Sequence, residues 1–427
     1  MKLADFILFL ADYLQGIFYF FKLFDILGGM LMKESLWTKD YISAIMILML
    51  CHVGPYLLLS VITVIGKQLT GSDTYAGMLA SVFSLFSMPA SFIGVWLLDR
   101  IGYKKSMLLS ILILVIVSAG FIVSNSYWIL FFLRGFQGFG YGMATTIINT
   151  YIVSLVHKEK LVEGVGYASL TNSLGGIIGP SLAYTILGNQ YNSFYELFIV
   201  LLLIELVTFL MVLFTKNIDN MNMRKREISL KSHVDFSILP IIIPVIVAFL
   251  NSMASSSLSS FLTLYVVEMG IGEIGLYFTI NAIGLFVSRF TMKALNDKLG
   301  PDNIIKICCI ILFVCIYVIS IVDTLWQILA VAFPIGFATG TIAPIINVDI
   351  INQMPDSKSG LANALFSSFV GLGFVFGATF WGMISNILSY SYMFKLSSFI
   401  YLIVLVLIGT QKKLSSKFEN VSKNVKH

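Results

Sequence analysis

Charged residues are scarce in this sequence. Only 11% of the 427 residues are Asp, Glu, Lys or Arg, whereas soluble proteins carry about 25%. Hydrophobic residues make up 58% of the chain, and the mean hydropathy is +0.92. The composition therefore excludes an ordinary soluble domain and predicts a membrane protein with many spans. The net charge of +5 is too small and too dispersed for nucleic-acid binding, so we expect no nucleic-acid partner.

The sequence also lacks the motifs of metal, redox and hydrolytic chemistry. Its four cysteines lie in apolar stretches, at spacings that fit neither a zinc site nor a disulfide framework, so we interpret them as small buried hydrophobic residues. There is no H-E-x-x-H motif, no nucleophile motif and no cluster of carboxylates. We therefore expect no metal, no cofactor and no enzymatic activity.

Long apolar segments predict an all-α, polytopic membrane protein. A helix crosses the hydrocarbon core with about 20 apolar residues, and these runs are far longer than the roughly 10 residues of a membrane barrel strand. Twelve segments qualify, near 41–66, 75–98, 106–124, 127–153, 164–187, 194–214, 237–266, 274–294, 304–322, 325–348, 361–388 and 393–410.

The basic residues predict how the chain is oriented. Lysine and arginine accumulate in cytoplasmic loops, and here they fall in alternate loops, in the middle linker and in the tail. The opposite loops hold little beyond Lys67 and Lys395, which lies at a helix edge. We therefore expect a multi-pass protein of the plasma (cytoplasmic) membrane with both termini in the cytoplasm.

The longest polar run between helices divides the chain into two sets of six. We predict a six-helix half over 36–214, a cytoplasmic linker over 215–236, a second half over 237–411 and a cytoplasmic tail over 412–427.

The segment 1–35 lies outside this pattern. Asp12, Lys22 and Asp25 interrupt it, so it is too polar to span the bilayer. Two interpretations stay open: an interfacial amphipathic helix, or a mis-assigned start that truly lies at Met30 or Met32.

The two halves repeat one another at a shift of 198 residues. Asp99 then coincides with Asp297, and Gly102 with Gly300. The segment "GFGYG" from Gly138 coincides with "GFATG" from Gly336. Two parallel six-helix repeats are an arrangement that transporters use to build a central site.

Three stretches resemble signatures of the major facilitator superfamily. The first is the loop "LLDRIGYKK", in which Gly102 permits a tight turn after Asp99 and Arg100. The resemblance implies that this loop latches the cytoplasmic side in the outward-facing state, whereas an ordinary positive-inside loop is the alternative. The echo "LNDKLG" makes Asp297 and Gly300 candidates for the same role in the second half. Arg289, eight residues before Asp297, is a candidate anchor for that second loop.

The second stretch is "LFFLRGFQGFGYG", from Leu130 to Gly142. It places Arg134 and Gln137 on one helix face. An arginine at this depth points into the bundle or into a wet cavity. A structural role, with the arginine bonded to helix carbonyls, is the alternative. The resemblance implies a role in proton exchange, which is the interpretation we favour.

The third stretch, "GYASLTNSLGGIIGPSLAY", resembles the helix 5 signature of the family's exporters. Gly175, Gly179 and Pro180 match it in spacing, whereas Ala183 and Tyr184 stand where the signature has glycines. Proline kinks a helix and glycines allow close packing, so these residues are candidates for a gating hinge. Ordinary helix contact is the alternative.

The resemblance also implies which helices line the central path. Polar and aromatic residues of those helices predict a site for a moderately lipophilic organic substrate, although each asparagine could equally join two helices. The candidates are Tyr56, Gln137, Tyr141, Asn149, Asn172, Asn251, Asn281, Phe337, Asn347 and Asn363.

Few groups could carry the coupling proton. Glu205 lies midway along the sixth predicted span, where burial would favour its protonated form, although that helix is peripheral in the family. His52 is the ionisable candidate of the first span. We therefore predict proton coupling through Arg134 with Glu205 or His52.

These patterns together predict a proton-coupled transporter that exports a small organic compound by rocking its halves, as a monomer in the lipid bilayer. An uptake permease for a small polar solute is the main alternative. A receptor without transport activity and a membrane enzyme are remote alternatives.

Overall fold

The computed structural model describes most of the chain between the two termini. The described residues are 36–59, 61–157, 160–187, 194–215, 239–272, 274–354 and 359–424. The predicted extension over 1–35 and nearly all of the predicted linker lie outside them, and so does the side chain of Asn363. The interpretations of those parts stay predictions.

The described residues form thirteen helices, numbered here in chain order. They are α1 (Lys39–Leu59), α2 (Ile62–Thr70), α3 (Asp73–Ile101), α4 (Tyr103–Ile122), α5 (Tyr127–Leu155), α6 (Leu161–Leu187), α7 (Tyr195–Leu213), α8 (Leu239–Met269), α9 (Gly275–Leu299), α10 (Pro301–Ile319), α11 (Leu325–Asn352), α12 (Ser359–Ile387) and α13 (Tyr390–Asn424).

These helices account for twelve membrane crossings. The pair α1 and α2 forms one apolar span, and eight further helices are also long and apolar enough to cross a membrane. Helices α5, α6 and α9 have 29, 27 and 25 residues, enough for a bilayer core at about 1.5 Å per residue. The all-α fold with twelve spans is therefore confirmed.

The helix ends agree with the predicted segments to within a few residues, with two differences. The first predicted span is interrupted, because α1 ends at Leu59 and a tight turn from Val61 to the Leu58 carbonyl (3.0 Å) precedes α2. The last helix continues to Asn424, into the segment predicted as a tail.

Each half packs its helices in the same way. In the first half the main pairs are α3 with α5, α1 with α6 and α4 with α7. The second half repeats them as α9 with α11, α8 with α12 and α10 with α13. The duplication seen in the sequence is therefore a duplication of helix contacts.

Glycines show this correspondence residue by residue. Gly138 of α5 lies directly against the backbone carbonyl of Phe83 in α3, and an added Cβ would overlap that oxygen. Gly336 of α11 lies in the same way against the carbonyl of Asn281 in α9. The 198-residue shift relates Gly138 to Gly336 and Phe83 to Asn281, so the two contacts are equivalent. These glycines let the helix backbones touch, as small residues do in membrane helix pairs.

The loops after α3 and α9 are equivalent too. Gly102 and Gly300 follow these helices with φ of 78° and 74° and each directly precedes the next helix. A residue with a Cβ is strained at such angles. The tight turn predicted from the sequence is thus present in both halves.

The halves meet through α3 with α12 and α6 with α9, and their side-chain contacts concentrate near one end of these helices. Ser81 bonds Thr379 at 3.1 Å, and Tyr184, one of the departures from the exporter signature, stacks on Phe278 at 5.4 Å. We call this the closed end. The opposite end, where α7 stops and α8 starts, is called the linker end.

We predict that Gly138→Ala destabilises the protein. The added methyl group cannot avoid the Phe83 backbone, and such overpacking costs about 1–3 kcal/mol. The midpoint of thermal unfolding of the detergent-purified protein should fall.

Gly371→Ala is the matched control, because an added Cβ there meets no atom within 4 Å. An equal loss of stability in both variants would contradict close packing at Gly138.

Candidate functional site

Arg134 lies inside the helical bundle and does not face lipid. Its side chain on α5 is fully buried, and its guanidinium carbon lies 4.5 Å from the ring centre of Phe83 on α3. Its Nη1 donates a hydrogen bond to Oε1 of Gln137, which confirms that these two residues share a face. The Nε and Nη2 groups have no hydrogen-bond partner among the described residues. The Phe83 ring and the Gln137 amide are therefore the described groups that stabilise this charge, the ring through a cation–π contact.

A continuous set of side chains leads from Arg134 to His52. The Phe83 ring lies 5.3 Å from the Tyr141 ring, and the Tyr141 hydroxyl shares a hydrogen bond of 2.9 Å with Nδ1 of His52. These residues come from α3, α5 and α1. The structure thus connects two of the predicted proton-coupling residues through a third helix.

The glycines of α6 let α1 approach closely at His52 and Tyr56. A Cβ added to Gly175 would lie 2.7 Å from the His52 Cβ, and one added to Gly179 would lie 2.6 Å from the Tyr56 Cβ. The neighbouring Pro180 is buried within the same helix. The predicted gating residues Gly175 and Gly179 therefore form part of the α1–α6 contact, which carries the predicted residues His52 and Tyr56.

Tyr56 connects the same two helices through its polar end. Its hydroxyl donates a hydrogen bond of 3.0 Å to Oδ1 of Asn172 on α6. Asn172 is exposed and Tyr56 is partly exposed. This pair forms a polar surface of the first half.

Glu205 is fully buried and forms no hydrogen bond with the Arg134–His52 set. Its Oε1 faces Gly54 of α1, where an added Cβ would come within 2.5 Å. Neither carboxylate oxygen has a hydrogen-bond partner among the described residues. An ionised carboxylate without a partner is costly in such surroundings. Glu205 therefore does not pair with Arg134 in this conformation, although the prediction grouped them.

The other predicted path residues fall into different environments. Asn281 donates to the Ala332 carbonyl at 3.1 Å and so joins α9 to α11. Asn149 is exposed and donates within its own helix to Thr145 at 2.8 Å. Asn251 is buried, and Phe337 stacks on Phe333 with ring centres 6.4 Å apart. Asn347 is partly buried.

The signature loops lie at the linker end. Asp99, Arg100 and Asp297 are exposed, and the Arg100 guanidinium stacks on Trp96 at 5.4 Å. Lys104 donates to the Leu213 carbonyl at 2.8 Å, which ties this loop to the end of α7. Asp99 and Asp297 form no ion pair with other described residues.

A charged cluster joins the helices at the closed end, and the sequence patterns did not predict it. Nζ of Lys67 lies 3.1 Å from Oδ1 of Asp73 and 3.2 Å from Oε2 of Glu268. It also donates to the Tyr390 hydroxyl at 2.8 Å, and that hydroxyl donates to Oδ1 of Asp73 at 2.5 Å. We call these four residues the closed-end cluster. The sequence singled out Lys67 as an isolated lysine of its loop, but it gave no sign that Glu268 of α8 and Tyr390 of α13 would be its partners.

The closed-end cluster joins the two halves through a partly buried charge. Lys67 and Asp73 belong to the first half, whereas Glu268 and Tyr390 belong to the second. Asp73 is 5% exposed and Tyr390 is 2% exposed, whereas the side chains of Lys67 and Glu268 are 30% and 57% exposed, so water screens the Lys67–Glu268 pair more than the contacts with Asp73 and Tyr390. The cluster therefore holds the halves together at this end.

Comparison with known proteins agrees with this architecture. The model of the Major Facilitator Superfamily matches residues 44–272 and 244–424. The chain is 26% identical to "Multidrug resistance protein MdtG" of Citrobacter koseri over 315 residues, which cover 71% of this chain and 77% of that protein.

Solved structures with the same fold are more distant in sequence. The crystal structure of nucleoside transporter NupG has a TM-score of 0.71 at 12% identity and covers 88% of this chain and 100% of that one. A bacterial homolog of the human lysosomal transporter Spinster, in an inward-facing and unoccupied conformation, has a TM-score of 0.69 at 14% identity over 88% and 96%.

We predict that Lys67→Gln loosens the closed end. The substitution removes the cation that Asp73 and Glu268 share, and a hydrogen bond to a charged group contributes about 1.5–3 kcal/mol. Ser260 is fully buried there, and its carbonyl accepts a hydrogen bond from Thr63 across the halves. A cysteine introduced as Ser260→Cys should react roughly tenfold faster with a water-soluble maleimide in the Lys67→Gln background.

The control is Lys395→Gln, which removes a cation stacked on Tyr392 within the second half. The four native cysteines are all buried, so their background labelling should be low. An unchanged labelling rate in Lys67→Gln would show that the cluster does not hold the halves together.

Proposed function

Since the chain belongs to the major facilitator superfamily, as the match over most of its length shows, we propose that it exports small organic compounds in exchange for protons. The proposal assigns the closed end to the outside of the cell and the linker end to the cytoplasm.

The observation that carries this proposal is the unequal contact between the halves. Their hydrogen bonds and ion pairs gather at the closed end, in the closed-end cluster and in the pairs Ser81–Thr379 and Ser181–Thr279. Toward the linker end, polar residues such as Asn149 and Asn172 are exposed. Rocking of the halves would open one end as the other closes, which is how a central site is reached alternately from two sides.

Three observations support export over uptake. The glycines of the exporter-like signature form a tight contact with α1 at His52 and Tyr56. The relative from Citrobacter koseri is named as a multidrug resistance protein. The distribution of lysine and arginine supports a cytoplasmic location for the linker end, so the exposed polar residues at that end would meet compounds from inside the cell.

The buried charges support coupling to protons. Arg134 is enclosed without a carboxylate partner among the described residues, and the Phe83–Tyr141 pair connects it to His52. A proton can drive transport only if its affinity differs between the two conformations. A group that is buried in one conformation and hydrated in the other would meet that requirement, and Arg134, His52 and Glu205 are the candidates.

We predict that the chain protects cells from a subset of toxic organic compounds. Growth of a deletion strain and an overproducing strain is compared across a panel of such compounds. A compound tolerated only by the overproducer should accumulate in everted membrane vesicles when their interior is acidified, and a protonophore should abolish the accumulation. Sensitisation by overproduction, with uptake into right-side-out cells, would instead favour the uptake permease.

We predict that Arg134→Gln abolishes substrate-induced proton release from those vesicles. The matched control Lys306→Gln removes a cation from α10, and it should leave release intact. Proton exchange at the wild-type rate in Arg134→Gln would remove this arginine from the mechanism.

Because Glu205 forms no hydrogen bond with the Arg134–His52 set, separate variants distinguish the two candidate carriers. If Glu205 carries the proton, Glu205→Gln should retain substrate binding but lose accumulation driven by the proton gradient, whereas His52→Asn should keep both. The reverse result would assign the proton to His52. Full accumulation in both variants would contradict proton transfer through either group.

A further inference from the structure

Arg289 of α9 is a partly buried cation for which the described structure shows no counter-charge. It forms no hydrogen bond or salt bridge with another described residue. The loop-anchoring role expected from the sequence therefore has no contact to support it.

The helical register of α9 directs Arg289 toward the first half. Phe278 and Thr279 of this helix contact Tyr184 and Ser181 of α6. Arg289 follows Phe278 by 11 residues, which is about three turns of 3.6 residues and returns to nearly the same face about 16 Å further along.

The flanking residues agree with this orientation. Ser288 is fully buried, against Gly340 of α11, whereas Phe290 is 61% exposed. Arg289 thus lies between the face that packs inside its own half and the face directed outward.

Tyr56 of α1 is the first-half residue with which Arg289 interacts electrostatically. The guanidinium lies within electrostatic range of the Tyr56 hydroxyl, and that hydroxyl donates to Asn172 of α6 at 3.0 Å. The hydroxyl and the amide are neutral, so neither balances the charge. This places a cation from the second half opposite a hydroxyl and an amide from the first half, beyond the contacts of the closed end.

A charged side chain at this depth in a membrane protein faces a wet cavity or a partner. Arginine suits a carboxylate or a phosphate because its planar N–H groups bind two oxygens at once. We propose that Arg289, with Tyr56 and Asn172, forms a subsite for the anionic group of an amphipathic organic substrate, such as a carboxylate on an aromatic body.

The subsite rests on the proposed function, because it requires that the substrate path runs between the two halves. It also narrows the expected class of substrates, because a compound bearing a carboxylate should bind more tightly than a neutral compound of the same shape. Both halves contribute to the subsite, so an anion bound there would draw them together.

The test uses the full-length protein purified in a non-ionic detergent, without any proton gradient. Two fluorescent probes share one apolar body: dansylglycine carries a carboxylate, and dansylglycinamide is neutral. Wild type should bind dansylglycine at least several-fold more tightly than the amide. Arg289→Gln should weaken dansylglycine binding by about 10- to 100-fold, the range expected for a lost charge-assisted bond, and change binding of the amide less than about twofold.

Arg289→Lys retains a cation and should recover part of the affinity for dansylglycine. Lys306→Gln removes a cation from α10 and should behave as wild type. Unchanged binding of the amide shows that the Arg289→Gln protein is folded, and the comparison of the two probes on wild type needs no variant.

Equal affinity of wild type for the two probes would overturn the subsite. So would an equal effect of Arg289→Gln on both. The proposed export is tested separately, since this measurement contains no gradient and no vesicle. Selective binding without proton-driven accumulation would keep the subsite and reject proton-coupled export, whereas accumulation without selectivity for the carboxylate would do the opposite.

Discussion

The free energy of placing charge in a low-dielectric bundle determines where the polar residues of this protein can lie. Removing an ion from water costs several kcal/mol or more unless another group compensates it. Three groups inside the bundle meet this constraint in different ways. Arg134 stacks on an aromatic ring, Glu205 lies against a glycine with no hydrogen-bond partner among the described residues, and Arg289 interacts electrostatically with the Tyr56 hydroxyl. Only the last is partly exposed in the described structure, which is why it can receive a ligand directly.

Close contact between helix backbones sets the geometry around these charges. Gly138 and Gly336 hold equivalent helix pairs together in the two halves, and Gly175 and Gly179 bring α6 against α1. Side chains next to such contacts have few alternative positions, because protein interiors are densely packed. The polar pairs His52–Tyr141 and Tyr56–Asn172 lie beside these contacts. The same packing that gives each half its rigidity therefore positions the candidate path.

The two ends of the bundle differ in how the halves interact. At the closed end, a lysine from one half is surrounded by two carboxylates and a hydroxyl, most of them buried. At the linker end, the acidic residues of the signature loops are exposed and form no ion pair among the described residues. A structure with two such ends can exchange one set of interactions for the other. The free energy of the closed-end cluster would then contribute directly to the equilibrium between conformations.

Sequence alone determined the helical class, the twelve crossings, the duplication and the shared face of Arg134 and Gln137. These properties follow from local quantities: the length of apolar runs, the spacing of residues on a helix and the coincidence of residues at one shift. Sequence did not determine which partner each polar residue has. Lys67 and Glu268 are 201 residues apart, and Glu205 meets Gly54 instead of Arg134. Arg289 interacts electrostatically with Tyr56, a residue of the opposite half. Such contacts depend on how twelve helices rotate and cross, and that arrangement is the sum of many small packing energies, which only the tertiary structure resolves.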